Sequence, residues 1–198
     1  TDLKALYTLT SLTEKGFLQT VSGRGSELRF RMLVVLRDVA QVIGRKSIDL
    51  EAVKNEHAAF FLEFSEKRSA DLTAEDAPLA LNELRREHDN IRSALRWTID
   101  HDPDKAARIA AAVRHFWTIH GHSKEGRKWL ESALAAAPDT ALSVRLEILT
   151  GLGNMAQFNG EHDAARVWYE KCFEESKASG DQWNLARALR GIGAIDYM

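Results

Sequence analysis

The sequence is poor in several features that would narrow its class. A single cysteine, Cys172, excludes an intrachain disulfide and points to a reducing compartment, the cytoplasm. The three prolines, Pro78, Pro103 and Pro138, each fall between helical patterns, where proline punctuates a chain without breaking a helix. No apolar run reaches the roughly 18 residues that suggest a membrane-spanning helix. The opening TDLKALYTLT lacks the basic-then-apolar order of a signal peptide. A formal net charge of −2 gives no global pull toward nucleic acid or an anionic membrane. The phosphate-binding glycine loop is missing too. Glycines 23, 25, 121, 126, 151 and 153 fit neither GxxxxGK[ST] nor a strand-linked GxGxxG. No cofactor is expected in these residues, and no enzyme.

What is present is helical periodicity with an internal copy. Hydrophobic residues make up 44% of the 198, enough for a packed core. Gly121, Arg127, Trp129 and Glu131 each lie 39 residues before Gly160, Arg166, Trp168 and Glu170. A fixed period of this size marks stacked helical hairpins, which bind ligands more often than they catalyse. The pairs read as 104–120 with 123–136, then 140–159 with 161–178, and a further first helix from Gln182. We call the first helix of each pair A and the second B. Leu152-Gly153 and Ile192-Gly193 place small residues where A and B approach, and Ala165, Tyr169 and Cys172 sit where B packs back on A.

Upstream, residues 2–15 form a helical stripe ended by Gly16. A turn bracketed by Gly23 and Gly25 joins 17–21 to 28–32, where Leu28, Arg29, Phe30, Arg31 and Met32 alternate as a strand with one buried face. A helix follows at 33–45. Helix, hairpin and helix together read as the back half of a winged-helix domain. A long helix over 48–69 carries Leu50, Val53, His57, Phe60, Phe61 and Phe64 on its apolar side. A loop at 70–78 leads to a helix ending near His101, with Leu84, His88, Ile91, Leu95 and Trp97 on its inner face. The expected architecture is mostly α. It comprises a partial winged helix with one β-hairpin (1–46), a helical linker or cap (47–103), and an α-helical solenoid of helix pairs (104–198). The chain begins without methionine inside a helical pattern and stops partway through another, so it reads as a piece of a longer protein.

The second pair resembles a tetratricopeptide repeat, with Leu152-Gly153, Ala165, Tyr169 and Cys172 in the family's places. In the first pair Arg114 stands where that family has glycine, and Gly126 replaces the alanine. The wider chain resembles the region after the nucleotide-binding module of bacterial STAND-class signalling NTPases, including LuxR-type and AfsR-type transcriptional regulators. The blocks that carry this are Arg29 to Ala40, Glu56 to Phe61, Glu87 to Trp97, and Phe116-Trp117 with Gly121 and Glu125 to Leu130. The resemblance implies a regulatory or sensor role in transcription, with the chain's own upstream NTPase domain as one partner. Related plant and animal NTPases carry Met-His-Asp after the wing. This chain has Met32-Leu33-Val34, and leucine offers phosphate no hydrogen bond.

By repeat register Arg108, Asn154, Gln157, Arg187 and Arg190 project from A helices toward one concave groove. Polar and basic residues there suit a protein, peptide or small-molecule inducer, such as an acidic or C-terminal peptide; a merely solvated helix face is an equal reading of the same residues. Two other readings remain open: a stand-alone protein-interaction scaffold, and DNA contact through Arg24, Arg29 and Arg31 on the hairpin, where Glu27 interrupts the basic patch. His120-Gly121-His122 flanks a turn with no third metal ligand close in sequence, and stable sites need three or four. His57 and His88 read as core histidines, Cys172 as a buried thiol, and Trp97, Trp117, Trp129 and Trp168 as packing residues. Glu75, Asp76, Glu174 and Glu175 read as solvated charges.

Overall fold

The computed structural model describes residues 2–22, 28–72 and 76–197. The protein is mostly helical, with one two-stranded antiparallel hairpin among the described residues. It divides into two compact units, residues 1–53 and 54–198.

The first unit holds α1 (Asp2–Glu14), β1 (Leu18–Ser22), β2 (Leu28–Met32) and α2 (Val34–Ser47). Leu18 pairs with Met32 and Ser22 with Leu28. Leu18 is buried, and Phe30 and Met32 are half-buried, but Leu28 is 67% exposed. The alternation in β2 therefore covers only the end of the strand next to α2. At its other end Leu28 stands on the last described pair of the ladder. The turn expected at Gly23 and Gly25 lies outside the described residues.

The long helix α3 (Leu50–Asp71) runs into the second unit, followed by α4 (Ala77–His101), α5 (Pro103–Ile119), α6 (Ser123–Ala136), α7 (Leu142–Phe158), α8 (His162–Ser179) and α9 (Gln182–Asp196). The region read as a helical linker or cap lies in this unit from Lys54 onward, with α4 packed on α5. Pro78 and Pro103 stand in the first turns of α4 and α5, where the missing N–H costs no helical bond. Each A helix meets its own B helix (α5 on α6, α7 on α8) and the next A helix (α5 on α7, α7 on α9).

The inter-helix breaks follow from glycine at two repeat-related positions. Gly121 and Gly160 take φ of 75° and 77°, a left-handed conformation that side-chain-bearing residues avoid. The amide after each then reaches back to a carbonyl five residues earlier: His122 N to Trp117 O, and Glu161 N to Ala156 O, both 2.9 Å. This geometry satisfies carbonyls that the helix end leaves unpaired.

The core centres on α5, whose Ala106, Ala107, Ile109, Ala110, Val113, Phe116 and Trp117 are almost wholly buried, and on α7. The inner face of α4 contains Leu84, His88, Ile91 and Leu95, as its spacing predicts, together with Ala94 and Thr98. Trp97 is only half-buried. The inner face of α3 differs from expectation. Ala58, Phe61, Leu62 and Ser65 are buried, whereas Val53 is 49% and Phe60 61% exposed. Two stripes compete on this helix and share Phe61. Packing selects the one with small Ala58 and Ser65 on its buried side, and Phe64 stays at its edge.

Candidate ligand face

Between α3, α5 and α7 lies an open cleft of about 400 Å³. Its apolar lining is small: Ala70, Ala111, Ala112 and Val144. Its charged lining comes in opposed pairs. On one side Arg108 of α5 donates from Nε to Glu66 Oε1 of α3 at 2.9 Å, with Nη2 at 2.7 Å. Both side chains are about 40% exposed, so the pair is worth roughly 0–1 kcal/mol.

On the other side two guanidiniums share one carboxylate. Arg114 of α5 meets Glu147 Oε2, and Arg187 of α9 donates from Nη1 to Glu147 Oε1 at 2.9 Å. The side chains of Arg114 and Arg187 keep only 11% and 13% of their exposure. Removing Glu147 would leave two nearly buried cations uncompensated, a loss of about 3–5 kcal/mol for a buried pair. Arg114 also donates from Nη1 to Ala111 O at 2.6 Å, while its Nε is buried without a hydrogen-bond partner among the described residues. Burial pushes the Arg114 guanidinium below its ordinary value; Glu147 opposes this and Arg187 adds to it. Neighbouring His115 is lowered to about 4, first by burial, then by Arg114 and Arg187, with Glu147 too weak to offset them. Arg114 and Arg187 thus add to burial in opposing a proton on His115.

Farther along α7, the Tyr169 hydroxyl of α8 lies 2.8 Å from Asn154 Oδ1 and 3.0 Å from Gln157 Oε1. One phenol hydrogen serves one acceptor, so the other amide turns its NH₂ toward the tyrosine oxygen. Burial pushes the Tyr169 phenol up to about 12, against the pull of Arg190 and Arg187. The five residues expected to line one groove are therefore distributed along three A helices. Arg108 is at the cleft, Arg187 on Glu147, Asn154 and Gln157 on Tyr169, and Arg190 exposed on α9. Arg114 and Glu147 join this face without having been expected there.

A second cluster forms where α4, α5 and α6 meet. Trp117 donates its indole N–H to His88 Nε2 at 3.0 Å. Arg92 grips Glu125 with Nε and Nη2, each at 2.5 Å, and Trp129 donates to the same carboxylate at 3.1 Å. His88 is lowered to about 4, by burial first and then by Arg92. Glu125 is lowered to about 2, chiefly by the Arg92 hydrogen bonds. Ligand atoms of His88, His122 and Glu125 lie within 4.8 Å of one another. The third ligand expected to be missing beside His122 is therefore present close by as Glu125, three residues downstream, and His88 joins them from α4. Two imidazoles and a carboxylate suit zinc in kind. Yet the His88 Nε2 lone pair and both Glu125 oxygens are already engaged, so an ion would have to displace Trp117 and Arg92. The cluster reads as a hydrogen-bonded joint.

On the hairpin, Arg31 is exposed opposite Gln19 and Arg29 half-buried opposite Val21; Arg24 lies outside the described residues. His57 is half-buried with its ring 4.7 Å from Phe61. Cys172 is buried, its sulfur 3.4 Å from Thr150 Oγ1. Trp117 is fully buried; Trp129 and Trp168 pack half-buried at the core edge. Of the four carboxylates read as solvated, Glu175 instead accepts from Arg145 Nε at 2.7 Å, and Glu75 lies outside the described residues. No helix among the described residues is long and apolar enough to cross a membrane. Compared with protein-family models, curated proteins and solved structures, the chain matches none.

Proposed function

We propose that the chain is the regulatory, ligand-sensing part of a cytoplasmic signal-transducing NTPase of the transcriptional-regulator kind. Its helix pairs form a solenoid whose A helices bind a protein, peptide or small-molecule inducer. The partial winged helix links them to the NTPase module, and hydrolysis belongs to that module. The observation that supports this most is the cleft on the A-helix side. There a small apolar floor is flanked by two arginine–glutamate pairs, Arg108–Glu66 and Arg114–Glu147, a combination suited to orienting a ligand. Ligand binding would favour one arrangement of the array and so shift an off/on equilibrium of the NTPase.

The test uses the full-length protein with and without residues 104–198. The proposal requires that the deletion change nucleotide occupancy and oligomeric state. Unchanged values in both would reduce the chain to an interaction scaffold without NTPase coupling.

A further inference from the structure

We infer that the cleft between α3, α5 and α7 takes a ligand carboxylate, which replaces Glu66 on Arg108 beside the fixed Arg114–Glu147–Arg187 triad. This rests on the reading that the A-helix side is the ligand face. The charge balance carries it. The Arg108–Glu66 pair is neutral, whereas Arg114, which lines the cleft with Glu147, shares that carboxylate with Arg187 of α9, so the triad beside the cleft keeps one positive charge in excess. The two sides differ in how readily they exchange partners. Arg114 and Arg187 hold Glu147 in a nearly buried geometry, and giving it up would strand charge away from water. Arg108 and Glu66 meet in solvent, where a swap of one carboxylate for another costs little. Arg108 is therefore the exchangeable cation, and the triad supplies the standing positive field that favours an incoming anion.

The floor narrows the ligand further. Ala70, Ala111, Ala112 and Val144 offer a shallow apolar bed beside the cations. A cleft of about 400 Å³ lies at the small end of ligand sites. The fitting chemistry is a carboxylate attached to a short aliphatic chain, from an acidic peptide or from a small branched acid. Glu66 then acts as a built-in competitor that an incoming carboxylate must displace.

Two pairs of probes separate charge from shape and peptide from small molecule. One pair is acetyl-(Leu-Glu)3-amide against acetyl-(Leu-Gln)3-amide. The other is 4-methylpentanoate against 4-methylpentanamide. Each is titrated into the intact chain by calorimetry, with NMR shifts recorded in parallel. At least one carboxylate is expected to bind ten-fold or more tighter than its amide, and the arm that does so identifies the source. Arg108→Gln should weaken that carboxylate about ten-fold and leave the amide unchanged. Glu66→Gln should tighten it several-fold. Both side chains are well exposed, so neither variant threatens folding. Equal affinity for acid and amide, with shifts in α5 and α7, would overturn the carboxylate inference and leave the ligand face standing. Carboxylate binding insensitive to both variants, or no binding of any probe, would also overturn it; the array deletion then tests the sensor reading independently.

Discussion

Tyr169 occupies the space that a side chain on Gly153 would need: a Cβ there would stand 2.5 Å from ring atom Cε1. Gly191 of α9 closes the other side of the slot, where a Cβ would meet the same ring at 2.6 Å. Tyr169 is 1% exposed and reaches Asn154 and Gln157 with its hydroxyl. The ring thus ties α8 to both flanking A helices. In the preceding pair Leu130 stands 39 residues before Tyr169, and Arg114 the same distance before Gly153. The smaller leucine leaves room for the side chain that points at Glu147.

Substitution at the slot should therefore be costly and position-specific. Gly153→Ala and Gly191→Ala should each destabilise by about 1–3 kcal/mol through overpacking. Thermal melts would show this as a fall of roughly 2–4 °C per kcal/mol for a chain of this size. Gly193→Ala is the control. A Cβ there meets nothing within 4 Å, so the usual helical gain of alanine over glycine, about 0.5–1 kcal/mol, should raise stability. A common loss at all three positions would contradict the slot.

The hydroxyl of Tyr169 makes a separable contribution. Tyr169→Phe should cost about 0.5–1.5 kcal/mol, since it removes the bond to Asn154 or Gln157 while keeping the ring. A double-mutant cycle with Asn154→Ala should show coupling; strict additivity would mean that the contact contributes nothing.

Acid should weaken the second unit in two steps. His88 and His115 have folded values near 4, below the ordinary 6.5. Between those values the unfolded chain binds more protons, so their contribution is lost as pH falls from about 6.5 to 4. Glu125, lowered from 4.5 to about 2, adds a second loss across that lower window. Melting temperature should fall from pH 7 to pH 4 and again below pH 4. His88→Gln should shrink the first step, and a melting temperature rising on acidification would refute this reading.

The joint between α4 and α6 should not tolerate a point charge for a fork. Arg92→Lys keeps the charge but loses the paired contacts to both Glu125 oxygens. The partners are 28% exposed, so the expected loss is about 1–3 kcal/mol, between exposed and buried limits. Chemical denaturation would measure it, and a change under a few tenths would assign the joint to Trp117 and His88 alone.

The helices and their ends were legible because they depend on local chemistry. Gly121 and Gly160 mark their breaks by a conformation few other residues adopt, and the 39-residue offset fixes the pairing. The buried side of α3 was not legible, since Phe60, Phe61 and Phe64 offer two stripes that only packing separates. The site was partly so. Arg114 stood out as an arginine at a glycine position, a signal of a side chain with somewhere to go. Its partner Glu147 lies 33 residues on, and Arg187 another 40 beyond, and no local pattern links three helices. Of the His88–His122–Glu125 group, the His122–Glu125 spacing of three was legible at the start of α6, and only the approach of His88 from α4 was not.

The central claim is that the A-helix side is the ligand face. Backbone NMR shift mapping of the intact chain with acetyl-(Leu-Glu)3-amide tests it most directly. Saturable shifts are expected, concentrated between 108 and 115 in α5 and between 143 and 147 in α7. The outward faces of α6 and α8 should stay unchanged. Shifts confined to α6 and α8, or to the hairpin at 18–32, would contradict it.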